Sequence, residues 1–274
     1  MILFPKCKIN LGLHIIRKRE DGYHDLQTVF YPVGLKDALE IVKSGVSSLD
    51  SGVQFSSSGL KVSGDADDNL CVKAYHLLKK DFPELAPVQI HLHKAIPMGA
   101  GLGGGSADGA FTLTLLNQLG GLGLSKEQLA GYALQLGSDC PFFILNKPCL
   151  ATGRGEKMEE IELDLSGYTF LIVNPGIHVS TAKAFMEIIP DQPHQSIQNI
   201  IRQPVHKWKG LLVNDFESPV GKLYPEILQI REGLYAAGAA YASMTGSGSS
   251  VYGLFKKGKP IPLSFPSQYA TYQV

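Results

Sequence analysis

The sequence predicts a mixed α and β protein with one large or two medium domains, and three observations support this class. Residues 88–93 alternate between apolar and polar side chains, as a strand does, and lead through a glycine-rich loop into the apolar helical pattern of residues 110–119. Residues 168–174 form a second apolar strand pattern, ended by the turn residues Pro175 and Gly176. A chain of 274 residues is close to the size at which one core gives way to two.

The loop that follows the first of these strands is the most informative stretch of the chain. Five of the seven residues from Gly99 to Gly105 are glycine. Few Cβ atoms therefore obstruct the backbone, and N–H groups can converge on an anion at the positively polarised N-terminus of the next helix. The pattern predicts a phosphate-binding loop, and a purely structural turn is the alternative.

Two better-known phosphate loops fit this stretch less well. Gly99, Gly101 and Gly104 have the G-x-G-x-x-G spacing of dinucleotide-binding proteins, which place an acidic residue about 20 positions further on. Residues 109–126 contain no Asp or Glu. The spacing from Gly99 to Gly104 also begins a Walker A loop, but Gly105 stands where that loop requires lysine.

Composition indicates a small-molecule partner. The 25 basic and 25 acidic residues give a formal net charge of zero, so the chain carries no electrostatic signature of nucleic-acid or anionic-membrane binding. No apolar run approaches the roughly 18 residues of a membrane span, and residues 1–6 are too short and wrongly ordered for a signal peptide. We therefore expect a cytoplasmic protein.

The cysteines predict no disulfide framework and no metal site. The chain has four of them, Cys7, Cys71, Cys140 and Cys149, and none forms a C-x-x-C pair. Their spacing matches none of the usual zinc patterns, so we expect reduced and partly buried thiols.

The N-terminal part presents two groups of candidate binding residues. Residues 6–16 read as a strand that carries Lys8 and Asn10 on one face, which suggests either a ligand or the solvated face of an edge strand. Tyr23 and His24 follow a polar turn at once. Together they can offer a flat stacking surface and a hydrogen-bonding ring to a planar heterocycle, with ordinary packing as the alternative.

Two capped helices frame the other candidates of the N-terminal half. Asp68 or Asn69 is placed to cap a helix that runs to Lys80, and a capping box at Ser125 starts a helix that runs to Leu136. Asp139 follows the second helix, before a proline-led apolar segment. A carboxylate in mostly apolar surroundings often has a function, and capping of a turn is the alternative.

The remaining segments carry weaker local signals. Residues 44–64 predict hairpin and loop, and residues 151–156 resemble a junction between two halves. Further predictions follow in chain order: a capped helix near 181–186, loop with short helix at 190–210, a helix over 222–237, and a small-residue loop at 242–249 that leads into a strand.

Taken in order, these motifs resemble those of the GHMP superfamily of small-molecule kinases. The first motif is Lys8-Ile-Asn10 with Gly22-Tyr-His24, the second spans residues 97–107, and the third spans residues 244–249. Within the family, the chain most resembles the branch that carries Asp21-Gly-Tyr-His24, a triple glycine and Leu136-Gly-Ser-Asp-Cys-Pro-Phe142. The likeness runs from about residue 6 to residue 255.

The resemblance implies an α+β fold of two domains. Residues 1–152 would form an ATP-binding N-terminal domain similar to domain 2 of ribosomal protein S5. Residues 153–274 would form a ferredoxin-like domain on the substrate side, with the active site in the cleft between the two. Residues 190–210 and 256–274 match the family poorly.

The resemblance also implies the reaction and the residues that perform it. This branch uses ATP with Mg²⁺ to phosphorylate a methylated polyol carrying cytidine diphosphate, in the non-mevalonate route to isoprenoid precursors. Asp139 would be the base that accepts the proton of the acceptor hydroxyl, and Lys8 the cation beside it. The residues implied in ATP binding are Asn69, Leu70, Lys94, Pro97, Gly99, Gly101, Leu102, Gly103, Gly104, Gly105 and Ser106. Those implied in substrate binding are Asn10, Tyr23, His24, Thr181 and Phe185.

Three questions stay open at this level. The motifs name no ligand for the metal, although Ser106 is the residue on which such a role would depend, and they give no oligomeric state. A family member with a mevalonate-type or homoserine-type acceptor is one alternative, which Tyr23, His24 and Phe185 disfavour. A catalytically silent nucleotide-binding protein on the same fold is the other, which the presence of both Lys8 and Asp139 disfavours.

Overall fold

The computed structural model describes residues 1–45, 52–62, 64–191 and 195–274. The strands of this part are β1 (Ile2–Leu3), β2 (Lys6–Lys18), β3 (His24–Lys36), β4 (Ala38–Lys43), β5 (Val53–Gly59), β6 (Val88–Lys94), β7 (Cys149–Gly153), β8 (Lys157–Glu160), β9 (Tyr168–Asn174), β10 (Tyr241–Met244), β11 (Val251–Lys256) and β12 (Ala270–Gln273). The helices are α1 (Leu70–Asp81), α2 (Gly104–Gly120), α3 (Lys126–Leu136), α4 (Cys140–Leu145), α5 (Thr181–Met186), α6 (Ile197–Ile201), α7 (Glu217–Leu223) and α8 (Pro225–Ala236).

Contacts divide the chain into two compact units. The first unit contains Met1–Cys7, Gly34–Met98 and Gly103–Lys147, and the second contains Lys8–Val33, Gly99–Leu102 and Pro148–Val274. Residues 151–156, predicted as a junction, lie in the hairpin of β7 and β8 within the second unit. The predicted domain boundary after residue 152 stays a prediction.

The first unit is built on one four-stranded sheet with the order β1-β4-β6-β5. Strand β6 pairs antiparallel with β4 and parallel with β5. Its apolar positions Val88, Ile90 and Leu92 are buried and the residues between them are exposed, as the alternating sequence predicts. Burying each such side chain is worth about 1.5–3 kcal/mol, and this fixes the register from which Lys94 and the glycine-rich loop extend.

The second unit contains two four-stranded sheets, ordered β2-β3-β7-β8 and β10-β11-β9-β12. Strand β9 has the predicted bounds, lies between β11 and β12, and is antiparallel to both. Its core includes Leu13, Val173, Ile227, Leu234 and Val251. Residues of β2, which carries Asn10, and of α5, which carries Thr181 and Phe185, pack into this core.

Local capping signals correctly predicted two helices of the first unit. Helix α1 begins after Asn69, whose side chain accepts a hydrogen bond from the Cys71 N–H at 2.9 Å. Helix α3 begins after Ser125 with both bonds of the capping box to Gln128, and it ends at Gly137. Side-chain caps satisfy the first unpaired N–H groups of a helix, which is why these boundaries are readable locally.

Two helix predictions need correction. Helix α2 begins at Gly104 rather than near Ala110. The sequence pattern did not reveal this start, because the helix opens with two glycines, which have low helix propensity. The single helix predicted over 222–237 is two helices that meet at Tyr224, because Pro225 is well suited to the first turn of a new helix. Leu223, the last residue of the first of these helices, is 55% exposed.

The weaker segment predictions have mixed outcomes. Helix α5 has the predicted cap, because the Ser180 hydroxyl accepts the Lys183 N–H. The hairpin and loop predicted over 44–64 contain β5, which pairs parallel with β6, and the rest of that prediction falls partly on residues 46–51 and 63, which lie outside the described residues. The short helix predicted within 190–210 is α6, and residues 192–194 of that range also lie outside the described part.

Two simpler expectations concern the cysteines and the membrane. The four cysteines are free, buried thiols. Among the described residues, no helix combines the length and the apolar character needed to cross a membrane.

Candidate active site

The end of the glycine-rich loop forms the N-terminus of α2, in the first unit. Gly103 precedes this 17-residue helix with a φ of +69°, and no side chain caps the helix. The N–H groups of its first turn therefore point beyond the helix without an intrahelical acceptor. Such a terminus binds anions through both its N–H groups and its dipole.

The structure assigns different constraints to the glycines of this terminus. A Cβ on Gly104 would lie 2.9 Å from a methyl carbon of Ile96 and 2.9 Å from the Lys94 ammonium nitrogen, so the backbone packs closely there. A Cβ on Gly105 would meet no atom within 4 Å. Gly104 is thus required by the protein's own packing, and Gly105 leaves open space beside the helix N-terminus.

Two of the predicted ATP-binding residues lie against α2. Asn69 caps α1, and the next residue, Leu70, contacts α2 so closely that a Cβ on Gly109 would lie 2.9 Å from the Leu70 Cβ. Pro97 is half-buried in the loop itself. The structure therefore brings Asn69 and Leu70 to one side of α2.

The predicted base lies near the first turn of α2. Burial raises the pKa of the Cys140 thiol to about 12, a hydrogen bond with Ser106 opposes the shift, and the charge of the adjacent Asp139 adds to it. Ser106 and the start of α4 are therefore neighbours. Asp139 is half-buried in the N-cap position of α4, and its side chain makes no capping hydrogen bond to that helix, so the catalytic role and the turn-capping alternative both stay predictions.

Lys94 is buried within the first unit and is only 1% exposed. Its ammonium group forms ion pairs with Asp37 and Asp108. The prediction that Lys94 binds ATP directly stays a prediction, and the structure gives its charge two partners inside the protein.

In the second unit, Lys8 and Asn10 are buried side by side on β2, with exposures of 4% and 2%. The Lys8 ammonium donates to the Asn10 amide oxygen at 2.6 Å and lies 4.9 Å from the centre of the Phe30 ring. The Asn10 amide in turn donates to the Thr28 hydroxyl at 3.0 Å. Although β2 is at the edge of its sheet, the solvated-face alternative is wrong, because this polar face is covered by protein.

Thr245, in the third motif, connects β2 with the glycine-rich loop inside the second unit. Its hydroxyl accepts the Asn10 backbone N–H at 3.0 Å and lies 3.0 Å from the Gly101 carbonyl oxygen, to which it donates. Leu102 is held to the same strand, because its carbonyl accepts the Lys8 backbone N–H at 2.9 Å. Thr245 is fully buried, so these bonds are protected from water.

Replacing Thr245 by valine is expected to lower the free energy of unfolding by about 1–3 kcal/mol, because an isosteric side chain leaves the Asn10 N–H and the Gly101 carbonyl without a partner. Denaturant melts at constant pH measure the change. Thr114→Val, at a half-buried hydroxyl that bonds only within α2, is the matched control and should stay within about 0.5 kcal/mol. Equal effects of the two variants would contradict the proposed link.

The aromatic candidates of the second unit form a stacked group. The His24 ring stacks on the Phe185 ring with centroids 4.7 Å apart and planes 19° apart, and Phe216 meets Phe185 edge-on at 4.8 Å. Burial, followed by the charge of Lys18, lowers the pKa of His24 and favours the neutral ring. A neutral imidazole both donates and accepts hydrogen bonds, which suits a nucleobase edge.

Tyr23 lies apart from this stack on an ordered turn. Its ring is 56% exposed, and the Arg154 guanidinium carbon lies 4.8 Å from the ring centre. The turn is ordered by Asp21, which accepts the Tyr23 N–H and pairs with Arg19. The hydrogen bond from Arg19 is the main reason that the pKa of Asp21 is lowered. The structure thus presents an exposed aromatic face at the predicted position.

Thr181 is the last predicted substrate residue, at the start of α5. Its hydroxyl hydrogen-bonds the Ser247 hydroxyl at 2.8 Å, which connects it to the third motif. Asn214 stabilises the third motif, because its amide donates hydrogen bonds to the carbonyls of Met244 and Gly246, both at 2.9 Å.

Sequence reasoning missed several supporting residues of the site. These are Thr28, Asp37, Asp108, Asn214 and Thr245. Thr245 stands inside a recognised motif, so its position was available as a signal. The others pair with residues far away in the chain, and no local pattern marks them.

Both halves of the chain match models of one protein family. Residues 69–147 match the GHMP kinases N terminal domain, and residues 197–262 match the GHMP kinases C terminal domain. Together with the uncapped N-terminus of α2, these matches define a GHMP kinase with the two-domain mixed fold that the motifs predicted.

Two curated relatives and one solved structure narrow this class. The 4-diphosphocytidyl-2-C-methyl-D-erythritol kinase of Azobacteroides pseudotrichonymphae is 53% identical over 258 residues, which are 94% of each chain. The same-named kinase of Bacteroides thetaiotaomicron is 53% identical over 262 residues, 96% of this chain and 94% of that one. A crystal structure of 4-(cytidine 5'-diphospho)-2C-methyl-D-erythritol kinase matches with a TM-score of 0.79 and 33% identity, and the match covers 93% of this chain and 90% of the other. The chain therefore belongs to the 4-diphosphocytidyl-2-C-methyl-D-erythritol kinase family, as its motifs predicted.

Proposed function

We propose that this protein transfers the γ-phosphoryl group of ATP to the 2-hydroxyl of 4-(cytidine 5'-diphospho)-2-C-methyl-D-erythritol, in the non-mevalonate route to isoprenoid precursors. The observation that carries the proposal is the 53% identity, over 94% of each chain, to a relative with the name of this kinase. The open N-terminus of α2 and the stack of His24 on Phe185 support it, since the reaction needs a site for phosphates and a surface for a base. Cytoplasmic location stays a prediction.

The acceptor alcohol has to lose a proton as it attacks the γ-phosphorus. An alcohol is a poor nucleophile at neutral pH unless a positioned base accepts this proton. We assign that role to Asp139, whose carboxylate is not used to cap α4. As the new P–O bond forms, the bond from the γ-phosphorus to the bridging oxygen breaks and ADP leaves. Lys8 supplies positive charge to the attacking oxygen, and its bond to Asn10 orients the ammonium group.

The glycine-rich loop is the proposed site of the ATP phosphates. Backbone N–H groups at the N-terminus of α2 orient the phosphates and offset the negative charge that develops during transfer. Among the described residues, no three His, Cys, Asp or Glu side chains are grouped to hold a metal ion. Mg²⁺ usually binds through substrate phosphates and few protein ligands, and it would neutralise phosphate charge here, with Ser106 as the candidate protein ligand.

The remaining predicted residues would select the acceptor. We propose that Asn10 and Thr181 contact the polyol part of the substrate, and that Tyr23, His24 and Phe185 bind the cytosine. Asn69 and Leu70, together with Lys94 at the end of β6, would border the adenine side of the ATP site. The partner is thus a small molecule that carries cytidine diphosphate.

The test of this function is ADP release by the purified protein with ATP, Mg²⁺ and the cytidine-linked acceptor. Parallel reactions contain mevalonate or homoserine, and CMP is added as a competitor. Turnover that requires the cytidine-linked acceptor and is inhibited by CMP would establish the proposal. Turnover only with another acceptor, or ATP binding without turnover on any of them, would contradict it.

Phe185→Leu is expected to raise the KM of the cytidine-linked acceptor about 10-fold while kcat and the KM of ATP stay within about 2-fold. Stacking of a base on an aromatic ring is worth about 1–3 kcal/mol, and its loss affects bound substrate and transition state alike. Steady-state kinetics with each substrate varied measure this. Phe265→Leu, which disrupts a different aromatic pair of the second unit, is the control. An unchanged acceptor KM in Phe185→Leu would remove Phe185 from the site.

A further inference from the structure

Three charged side chains form a buried cluster next to the N-terminus of α2, entirely within the first unit. The Lys94 ammonium donates to Asp108 Oδ2 at 2.8 Å and to Asp37 Oδ2. Lys94 and Asp37 are each 1% exposed, and Asp108 is 3% exposed. Isolated charges are almost never buried to this extent, so the cluster depends on all three partners.

The cluster joins the segments on either side of the loop. Lys94 is the last residue of β6, and Asp108 lies in the second turn of α2. Asp37 connects β3 with β4, and its Oδ1 accepts the backbone N–H groups of Ala95 at 2.6 Å and Ile96 at 2.8 Å. One carboxylate therefore holds both the ammonium group and the first two residues after β6.

The Lys94 ammonium group also lies next to the first residue of α2. A Cβ on Gly104, the first residue of α2, would be 2.9 Å from the Lys94 nitrogen. The absence of a side chain at Gly104 permits this approach, and any displacement of the ammonium group changes the surface on which the first turn of α2 rests. The position of Lys94 and the direction of the unpaired N–H groups are thus coupled.

The charges of the cluster do not balance when both carboxylates are ionised, because there is one cation for two anions. Burial raises the pKa of the Asp108 carboxyl to about 8, an effect that Lys94 opposes and Asp37 increases. The other titratable group beside it is the Cys71 thiol of α1, whose pKa burial raises far above the ordinary range. Asp108 Oδ1 has no hydrogen-bond partner among the described residues and is available for a proton.

We propose that Lys94 is a positioning residue for ATP: held by Asp37 and Asp108, it fixes the N-terminus of α2 in the geometry that receives the phosphates, without having to contact the nucleotide. This inference rests on the proposed role of the loop as the ATP site. It gives Asp37 and Asp108, which no motif singles out, a function in nucleotide affinity.

The test compares Lys94→Met and Asp108→Asn with the wild type and with Lys43→Met, which removes an exposed lysine at the end of β4. Affinity for ADP is measured by calorimetry without acceptor, and kcat at saturating ATP and the melting temperature are measured in parallel. Lys94→Met should weaken ADP binding at least 10-fold and lower kcat less than 3-fold. Asp108→Asn keeps an acceptor for the Lys94 ammonium and should weaken ADP binding less than Lys94→Met does, and Lys43→Met should be unchanged.

A pH series provides a readout that separates the cluster from ordinary packing. A carboxyl whose pKa is raised from 3.8 to about 8 binds more protons in the folded state, so the wild type loses stability as pH rises through that window. Asp108→Asn removes this group, and its melting temperature should fall less between pH 5 and about 8 than that of the wild type. Parallel pH profiles of the two proteins would contradict the assigned charge state.

The outcomes distinguish this inference from the proposed function. If the wild type binds no nucleotide, both are wrong. If the wild type binds and turns over, and Lys94→Met melts earlier but binds ADP within 3-fold of wild type, the cluster is only structural and the positioning role is wrong. If Lys94→Met does not fold, Lys94→Met combined with Asp37→Asn removes one charge of each sign, and the same 10-fold criterion applies to it.

Discussion

Asp139→Asn is expected to lower kcat at least about 100-fold, the low end of the effect of a positioned general base. Asparagine has nearly the same shape but cannot accept the proton of the acceptor hydroxyl. The Asp139 side chain makes no capping bond to α4, so the start of that helix does not depend on the carboxylate. ADP release under saturating conditions measures kcat, and calorimetry with ADP should show an affinity within about 2-fold of wild type, since the lost interaction belongs to the chemical step.

The matched control for Asp139 is Asp164→Asn. Asp164 is an exposed residue of the second unit whose carboxylate accepts the nearby Ser166 N–H. This variant should keep wild-type kcat and thus exclude a general effect of removing an aspartate. Retention of more than a tenth of wild-type kcat in Asp139→Asn would show that another group accepts the proton.

Gly101→Ala is expected to destabilise the protein by about 3 kcal/mol or more and to weaken ATP binding, because two separate penalties add. Gly101 has a φ of +77°, in the left-handed region that favours glycine. A Cβ there would also lie 2.1 Å from the Thr245 carbonyl oxygen, so one of the two loops has to move. Denaturant melts measure the stability, and steady-state kinetics measure the KM of ATP.

Two other glycines serve as controls for Gly101. Gly131→Ala lies on an exposed part of α3 with no atom within 4 Å, and it should stabilise the protein by about 0.5–1 kcal/mol. Gly105→Ala also has space around it, so it should fold normally. If phosphates lie at the N-terminus of α2, Gly105→Ala should nevertheless raise the KM of ATP. An undisturbed melting temperature in Gly101→Ala would contradict the close approach of Gly101 to Thr245.

Features that depend only on residues close together along the chain were predictable from the sequence. The caps at Asn69 and Ser125 define where α1 and α3 begin, and an apolar run ended by a proline and a glycine defines β9. The three motifs were sufficient to predict the kinase family, which the family models and the relatives confirm. These signals are local because turn geometry, caps and strand periodicity involve residues only a few positions apart.

Helix boundaries were wrong where local propensity and structure disagree. Gly104 begins α2 despite the low helix propensity of glycine, because close packing against Ile96 and Lys94 excludes a side chain there. Pro225 begins α8 within what the apolar periodicity read as one helix. In both places the pattern of apolar residues was correct, and the backbone constraint of one residue decided the boundary.

The sequence by itself determined the family, the glycine-rich loop, the capped helices and the identity of the predicted site residues, all through local patterns. Only the tertiary structure decided which polar groups support the site. Thr245 meets Asn10 across 235 positions and Gly101 across 144, and Lys94 reaches Asp37 across 57. Burial turned these residues into partners, because a polar group removed from water must find its hydrogen bonds within the fold, whatever its distance along the chain.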